Sequence, residues 1–132
     1  MKTILILYGG CSSEYGVSLQ SAQAVLDHLN PQRWQALPVH ITRTGQWTYE
    51  GLPCALRLDR GRAALLLADG RELPFDGAFP VLHGKNGEDG TLQGLLEMAG
   101  VPVIGCGTLS SALCMDKDRA HKLAALAGVR VP

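Results

Sequence analysis

Thr3-Ile4-Leu5-Ile6-Leu7-Tyr8, closed by Gly9-Gly10, is a continuous apolar run ended by two residues that let the chain turn. A run of this length without apolar/polar alternation marks a strand buried on both faces, as in parallel sheets covered by helices. Further along, Val17, Leu19, Ala22, Ala24, Val25, Leu26 and Leu29 recur with mostly helical spacing. Ser12 or Ser13 starts the turn before them, and Asn30-Pro31 stops the helix. Ala36 to Ile41 is a second strand. The opening of the chain is therefore a strand-helix-strand unit, for which a right-handed crossover is expected.

The remainder continues the pattern. Thr42 to Trp47 is a turn into a short strand, and Ala64 to Leu73 is a hairpin turned in two residues at Asp69-Gly70. Gly51 to Arg62 lacks a pattern and is expected as a surface excursion. Ala78-Phe79-Pro80-Val81-Leu82 is strand-like, its proline placing it near a strand end or edge. Leu92, Leu95, Leu96 and Ala99 form a helical face ended by Gly100. Val101 to Ile104 predicts another strand, Ser110 to Cys114 follows the Gly105-Cys106-Gly107 turn, and Asp116 caps a last helix. Its apolar face is Leu123, Ala124 and Leu126, and Gly128 ends it. No internal repeat appears. The expected class is α/β with a mainly parallel sheet, in one domain spanning residues 1–132.

Twelve basic and twelve acidic residues cancel, which argues against a polyanion-binding surface and so against nucleic acid. The apolar runs fall far short of the roughly 20 residues of a membrane span. The first one lacks a signal-peptide cleavage pattern and is expected to be a mature strand. Cys11, Cys54, Cys106 and Cys114 have neither zinc-site nor disulfide-framework spacing, alone or with His28, His40, His83 and His121. Reduced thiols in the cytosol fit best.

Two loops carry the chemistry. Gly9 to Ser18 joins the first strand to its helix, where a dinucleotide would bind. Its glycines do not match G-x-G-x-x-G, and the second strand ends near His40 without the acid that holds a ribose, which excludes a nicotinamide or flavin site. Glu14 either faces a ligand's ammonium group or makes a simple charge-dipole contact of about 0.3–1 kcal/mol. The second loop, Leu82 to Gly94, packs Gly84, Gly87 and Gly90 with His83, Lys85, Glu88 and Asp89. Its glycines allow close backbone approach to a bound group, and its acids precede a helix N-terminus. His83 is either structural or a hydrogen-bonding, acid-base group, and Lys85 reads as a solvated charge. Lys117 is a cation in a helix's first turn, a position that favours an anionic partner such as phosphate.

Gly9-Gly10-x-Ser12-x-Glu14-x-x-Val17-Ser18-Leu19, Leu82-His83-Gly84-x-x-Gly87-Glu88-Asp89-Gly90-Thr91-x-Gln93-Gly94 and Ser111-Ala112-Leu113-Cys114-Met115-Asp116-Lys117 together closely resemble the N-terminal domain of D-alanine:D-alanine ligases. The resemblance runs from Met1 to Pro132 in order and spacing. Ile41-Thr42-x-x-Gly45-x-Trp47 is similar to the longer members. Gly84-Lys85-Asn86-Gly87 and Leu113 to Lys117 are most similar to the vancomycin-resistance branch, whose members join D-alanine to D-serine or D-lactate.

The resemblance implies a Rossmann-like three-layer fold preceding an ATP-grasp region. It implies an enzyme in which ATP phosphorylates the carboxylate of a first D-alanine. A second D-amino acid or D-lactate then attacks the acyl phosphate, with magnesium bridging phosphates. By the same resemblance Glu14 holds the first D-alanine's ammonium, with Val17 and Ser18 shaping its pocket. His83 stands beside that substrate, Lys117 reaches an ATP phosphate, and Gly84, Gly87, Glu88, Asp89 and Gly90 organise the loop. The implied setting is cytosolic peptidoglycan precursor synthesis by a homodimer. Gly16 departs from the family, which carries a polar residue there, and is expected to loosen the turn that aims Glu14. The ATP-grasp domains expected after Pro132, with the magnesium carboxylates, are absent, so the chain alone is expected to be an inactive fragment. Two alternatives stand beside this reading. One is a stand-alone α/β small-molecule binding or interaction module, the other an ATP-grasp ligase of different specificity.

Overall fold

The first strand, β1 (Lys2–Gly9), buries both of its faces, as its unbroken apolar run predicts. A computed structural model describes residues 1–59 and 61–132. After β1 come α1 (Tyr15–His28), β2 (Trp34–Ile41), β3 (Trp47–Tyr49), β4 (Leu52–Asp59) and β5 (Arg62–Leu67). The chain continues with β6 (Glu72–Pro74), β7 (Gly77–Pro80), α2 (Thr91–Met98), α3 (Thr108–Met115) and α4 (Lys117–Leu126). The strands form one sheet in the order β6-β5-β4-β3-β2-β1-β7.

Leu5 and Leu7 of β1 pack with Leu37 and Val39 of β2 and with Leu92 and Leu96 of α2. Ile4 and Ile6 point the other way, onto Ala22 of α1 and Val81, with Val25 and Leu26 of α1 packed beside them. Helix, sheet and helix thus make the three expected layers. Each fully buried aliphatic side chain contributes about 1.5–3 kcal/mol through removal from water, so the alternation along β1 clamps both helical layers to one strand.

The α/β class holds, while the sheet is mixed. β1 pairs in parallel with β2 and with β7, and these three strands carry the loops of interest. The ladders β2-β3, β3-β4, β4-β5 and β5-β6 are antiparallel. The expectation of a mainly parallel sheet is corrected accordingly, because the excursion after β2 returns through short hairpins, which can only pair antiparallel. That excursion is no irregular surface loop either. Leu52, Cys54, Leu56 and Leu58 alternate on one face of β4, and the last three pack against the core. Residue 60, within the stretch read as patternless, lies outside the described residues.

Smaller corrections have local causes. The β5-β6 turn uses Ala68, Asp69 and Gly70, three residues and not two. Leu67 and Arg71 close it, with Gly70 at φ +88°, which is the bulged form of a tight hairpin. Val101 to Ile104 does not become a named strand, and Val103 makes an isolated parallel bridge to Ala78. Pro102 has no N–H to donate to a ladder there. Gly16 stands inside α1's first turn with open space around it. Gly100, at φ +73°, closes α2 as expected, with Val101 N–H donating back to the Leu96 carbonyl. Asp116 caps α4 by accepting from the Arg119 amide. The apolar residues of α4 do not face a core, since Leu123 and Leu126 are exposed.

Candidate functional site

The ends of β1 and β7 lie side by side, and the loops leaving them meet. Gly9 takes φ +92°, and a Cβ there would stand 2.2 Å from the Ile41 carbonyl oxygen, so β1 can turn this close to β2 only at glycine. Ser18, fully buried on α1, accepts from the Gly9 amide at 2.8 Å and donates to the Val81 carbonyl. Expected to shape a substrate pocket, Ser18 has both of these bonds committed inside the domain. These bonds tie the end of β1 to the segment after β7, where the two loops begin. Val17, the neighbour of Ser18, is 53% exposed.

Glu14 is the N-cap of α1, and its side chain makes no capping hydrogen bond. The backbone performs the turn, with the Glu14 amide donating to Ser12 Oγ and the Ser18 amide to the Glu14 carbonyl. Ser12 Oγ in turn donates to the His83 carbonyl at 2.8 Å, lacing the first loop to the second. A Cβ on Gly84 would lie 2.7 Å from Glu14 Oε2. The Glu14 carboxylate therefore rests against the backbone directly after His83.

The His83 imidazole is held from two sides. Nε2 is 3.1 Å from Ser21 Oγ on α1, and Nδ1 is 3.5 Å from Glu88 Oε1. The other carboxylate oxygen of Glu88 accepts from the Gly84 amide at 2.8 Å. Asp89 accepts from the Asn86 and Thr91 amides. The Asn86 bond first, and the Thr91 bonds with it, hold the Asp89 carboxyl below its usual range. Gly84 and Gly90 take φ +75° and +89°, and a Cβ at Gly87 would stand 2.5 Å from Leu82 Cβ. The loop is a set of short turns whose donors are met by its own acids, and the acids sit at the start of α2.

Two clefts flank this loop. One, of about 580 Å³, runs between the end of β7, residues 103–106 and α3. The other, of about 450 Å³, lies between Gly9-Gly10, Trp47 and α2. Their walls are largely apolar, and the volumes suit small ligands. His83 lines both. Lys117 is the first residue of α4, exposed and outside both walls, while Met115 lines the larger cleft. Arg119 pairs with Asp116 and Lys122 with Asp118, whereas Lys117 has no ion-pair partner among the described residues. Its ammonium thus suits a phosphate or other anion. Among the described residues no three His, Cys, Asp or Glu side chains come together as metal ligands, and no helix is long and apolar enough to cross a membrane.

The fold thus brings Glu14, His83, Gly84 and Glu88 together and leaves Lys117 apart. Ser21 is not singled out by the sequence, and Gln93 stands in the second motif without a role assigned to it. Ser21 is seven residues from Glu14, two helical turns along the same face, a spacing that could have identified it. Gln93 interrupts the apolar stripe of α2, buried between Leu92 and Leu96.

Residues 3–106 match the family described as D-ala D-ala ligase N-terminus. The chain is 41% identical to a D-alanine–D-alanine ligase of Caldicellulosiruptor bescii, over 96% of this chain and 39% of that protein. It is 40% identical to the vancomycin B-type resistance protein VanB of Enterococcus faecalis, over 98% of this chain and 42% of that protein. Among solved structures, the VanG D-Ala:D-Ser ligase of Enterococcus faecalis superposes with a TM-score of 0.90 at 48% identity, covering 99% of this chain and 43% of that one. The chain therefore spans about two fifths of the length of the curated relatives it matches.

Proposed function

The chain belongs to the D-alanine–D-alanine ligase family, matching its N-terminal domain, and from that premise we propose that it forms the substrate-side part of an ATP-dependent D-alanine ligase. The reaction joins D-alanine to a second D-alanine, D-serine or D-lactate through an acyl phosphate, for peptidoglycan precursor synthesis in the cytosol. The observation that carries this reading is the contact of the Glu14 carboxylate with the backbone at Gly84, directly after His83. A small zwitterion with its ammonium on Glu14 has its own carboxylate within reach of the His83 side of the loop.

Glu14 then fixes the first D-alanine by its ammonium, a charge-assisted contact at the positive end of α1. Val17 borders the approach and Ser18 sets the loop ends. His83, oriented by Ser21 and Glu88, stabilises the reacting carboxylate and the charge that develops on it. Lys117 supplies a cation for an ATP phosphate, consistent with its lack of a carboxylate partner. ATP provides the activating phosphoryl group, and magnesium neutralises phosphate charge. The described residues offer magnesium no cluster of ligands, so no step here is assigned to it. The likeness to a D-Ala:D-Ser ligase supports D-serine as an acceptor, and that to a D-alanine–D-alanine ligase supports D-alanine.

The test is kinetic, in the complete protein. Glu14→Gln is expected to raise KM for the first D-alanine and lower kcat, each by roughly tenfold or more, while Lys117→Ala mainly raises KM for ATP. Near-normal kinetics in both variants would overturn the assignment. A product assay with D-alanine, D-serine and D-lactate in competition identifies the acceptor. Light scattering tests the proposed homodimer, which a purely monomeric complete protein would exclude.

A further inference from the structure

Leu82, His83 and Gly87 line both clefts, so the loop leaving β7 is the partition between them. This partition is tied to the helical layer at Gly87, whose carbonyl accepts a 2.8 Å bond from Gln93 Nε2 on α2. Gln93 is 6% exposed, on the face of α2 that also buries Leu92 and Leu96. Its Oε1 has no hydrogen-bond partner among the described residues. The Gly87 carbonyl can only accept, so the amide must present its nitrogen there and turn its oxygen away. A buried acceptor without a partner is unfavourable, and leucine or methionine would fill the same space without that penalty. What the amide supplies, and an apolar side chain cannot, is the grip on Gly87.

We propose that Gln93 is a positioning residue that holds the Gly84–Asp89 turn, and through it sets where the His83 imidazole faces. The chain of contacts is short. Gln93 fixes Gly87; the Gly87 and Glu88 amides both donate to the Gly84 carbonyl; and Glu88 bonds the Gly84 amide while facing His83 Nδ1. Ser21 approaches the ring from α1, so releasing the Gln93 end leaves the ring anchored on one side only. The inference rests on the role proposed above for His83.

The experiment is a double-mutant cycle on kcat in the complete protein, paired with hydrogen exchange at the Gly84 and Glu88 amides. Gln93→Met is expected to lower kcat roughly tenfold in the wild-type background and by less than about twofold in a His83→Gln background, because the two act in series. Exchange at both amides should quicken. Gln93→Leu, which fills the same space and removes the amide donor, serves if the methionine variant does not fold. An equal loss of kcat in both backgrounds would overturn the proposal, and so would unchanged kcat with unchanged exchange. If His83→Gln itself leaves kcat intact, the catalytic reading of His83 fails. Exchange then decides the clamp alone: faster exchange upholds it and unchanged exchange ends it.

Discussion

Gly84 is the residue at which backbone conformation and proposed ligand binding meet most directly. Its φ of +75° already disfavours any side chain, and a Cβ would come within 2.7 Å of Glu14 Oε2 and 3.4 Å of Ser12 Oγ. The carboxylate is the far end of a flexible side chain, so in Gly84→Ala it is Glu14 that moves and not the backbone of β1. The expected outcome is a modest loss of stability, about 1 kcal/mol for the positive φ, together with a severalfold rise in KM for the first D-alanine. Urea denaturation and steady-state kinetics on the complete protein check the two halves separately. An unchanged KM would show that the Glu14 carboxylate does not need its present position. At this scale sequence reading reaches Glu14 and His83, since each follows a strand end in a glycine-rich loop. It does not reach the distance between them, which depends on β1 and β7 being neighbours, nor Ser21, whose contact with His83 joins residues 62 positions apart.

The loop from Leu82 to Gly90 behaves as an element of its own, held by carboxylates where a strand would use a ladder. Asp89 is the clearest case, its carboxyl held below the ordinary value of 3.8 by the Asn86 and Thr91 amides. A carboxyl with a depressed folded-state pKa adds stability that is fully present above the unfolded value. That stability is lost as pH falls through the folded one. The Asn86 and Thr91 amide resonances should therefore move together as pH falls, with a common midpoint below the ordinary carboxyl value of 3.8. A common midpoint at or above 3.8 would contradict the assignment. The same scale shows what patterning can and cannot reveal. The buried run of β1 announces a parallel core, and Gly100 and Asp116 mark their helix ends, because these signals are local. β4 is not legible in the sequence although Leu52, Cys54, Leu56 and Leu58 alternate, since Pro53 and Arg57 between them and Asp59 after them have loop composition. Its partner β5 supplies the pairing that decides the matter.

Across the whole molecule, β1 is the shared wall of two cores that do not otherwise merge. Leu96, fully buried on α2, belongs to the cluster with Leu5 and Leu7; Ile6, equally buried, belongs to the cluster with Ala22 and Val81. Each truncation to alanine should cost about 2–5 kcal/mol, from lost transfer energy and the cavity left behind. Because the two side chains lie in different clusters on opposite faces of the sheet, their costs should add within about 0.5 kcal/mol. Both cores hang on the same strand, however, so losing either helical layer removes one face of β1. Unfolding should therefore remain a single transition in each variant, with unchanged denaturant dependence. Fluorescence of Trp34 and Trp47 tests this directly, because Trp34 packs against the α1-side cluster and Trp47 against the α2-side one. Non-coincident midpoints at the two tryptophans, separated by single-tryptophan variants, would mean that the layers unfold independently and that the loops at the β1 and β7 ends are not held by a common frame.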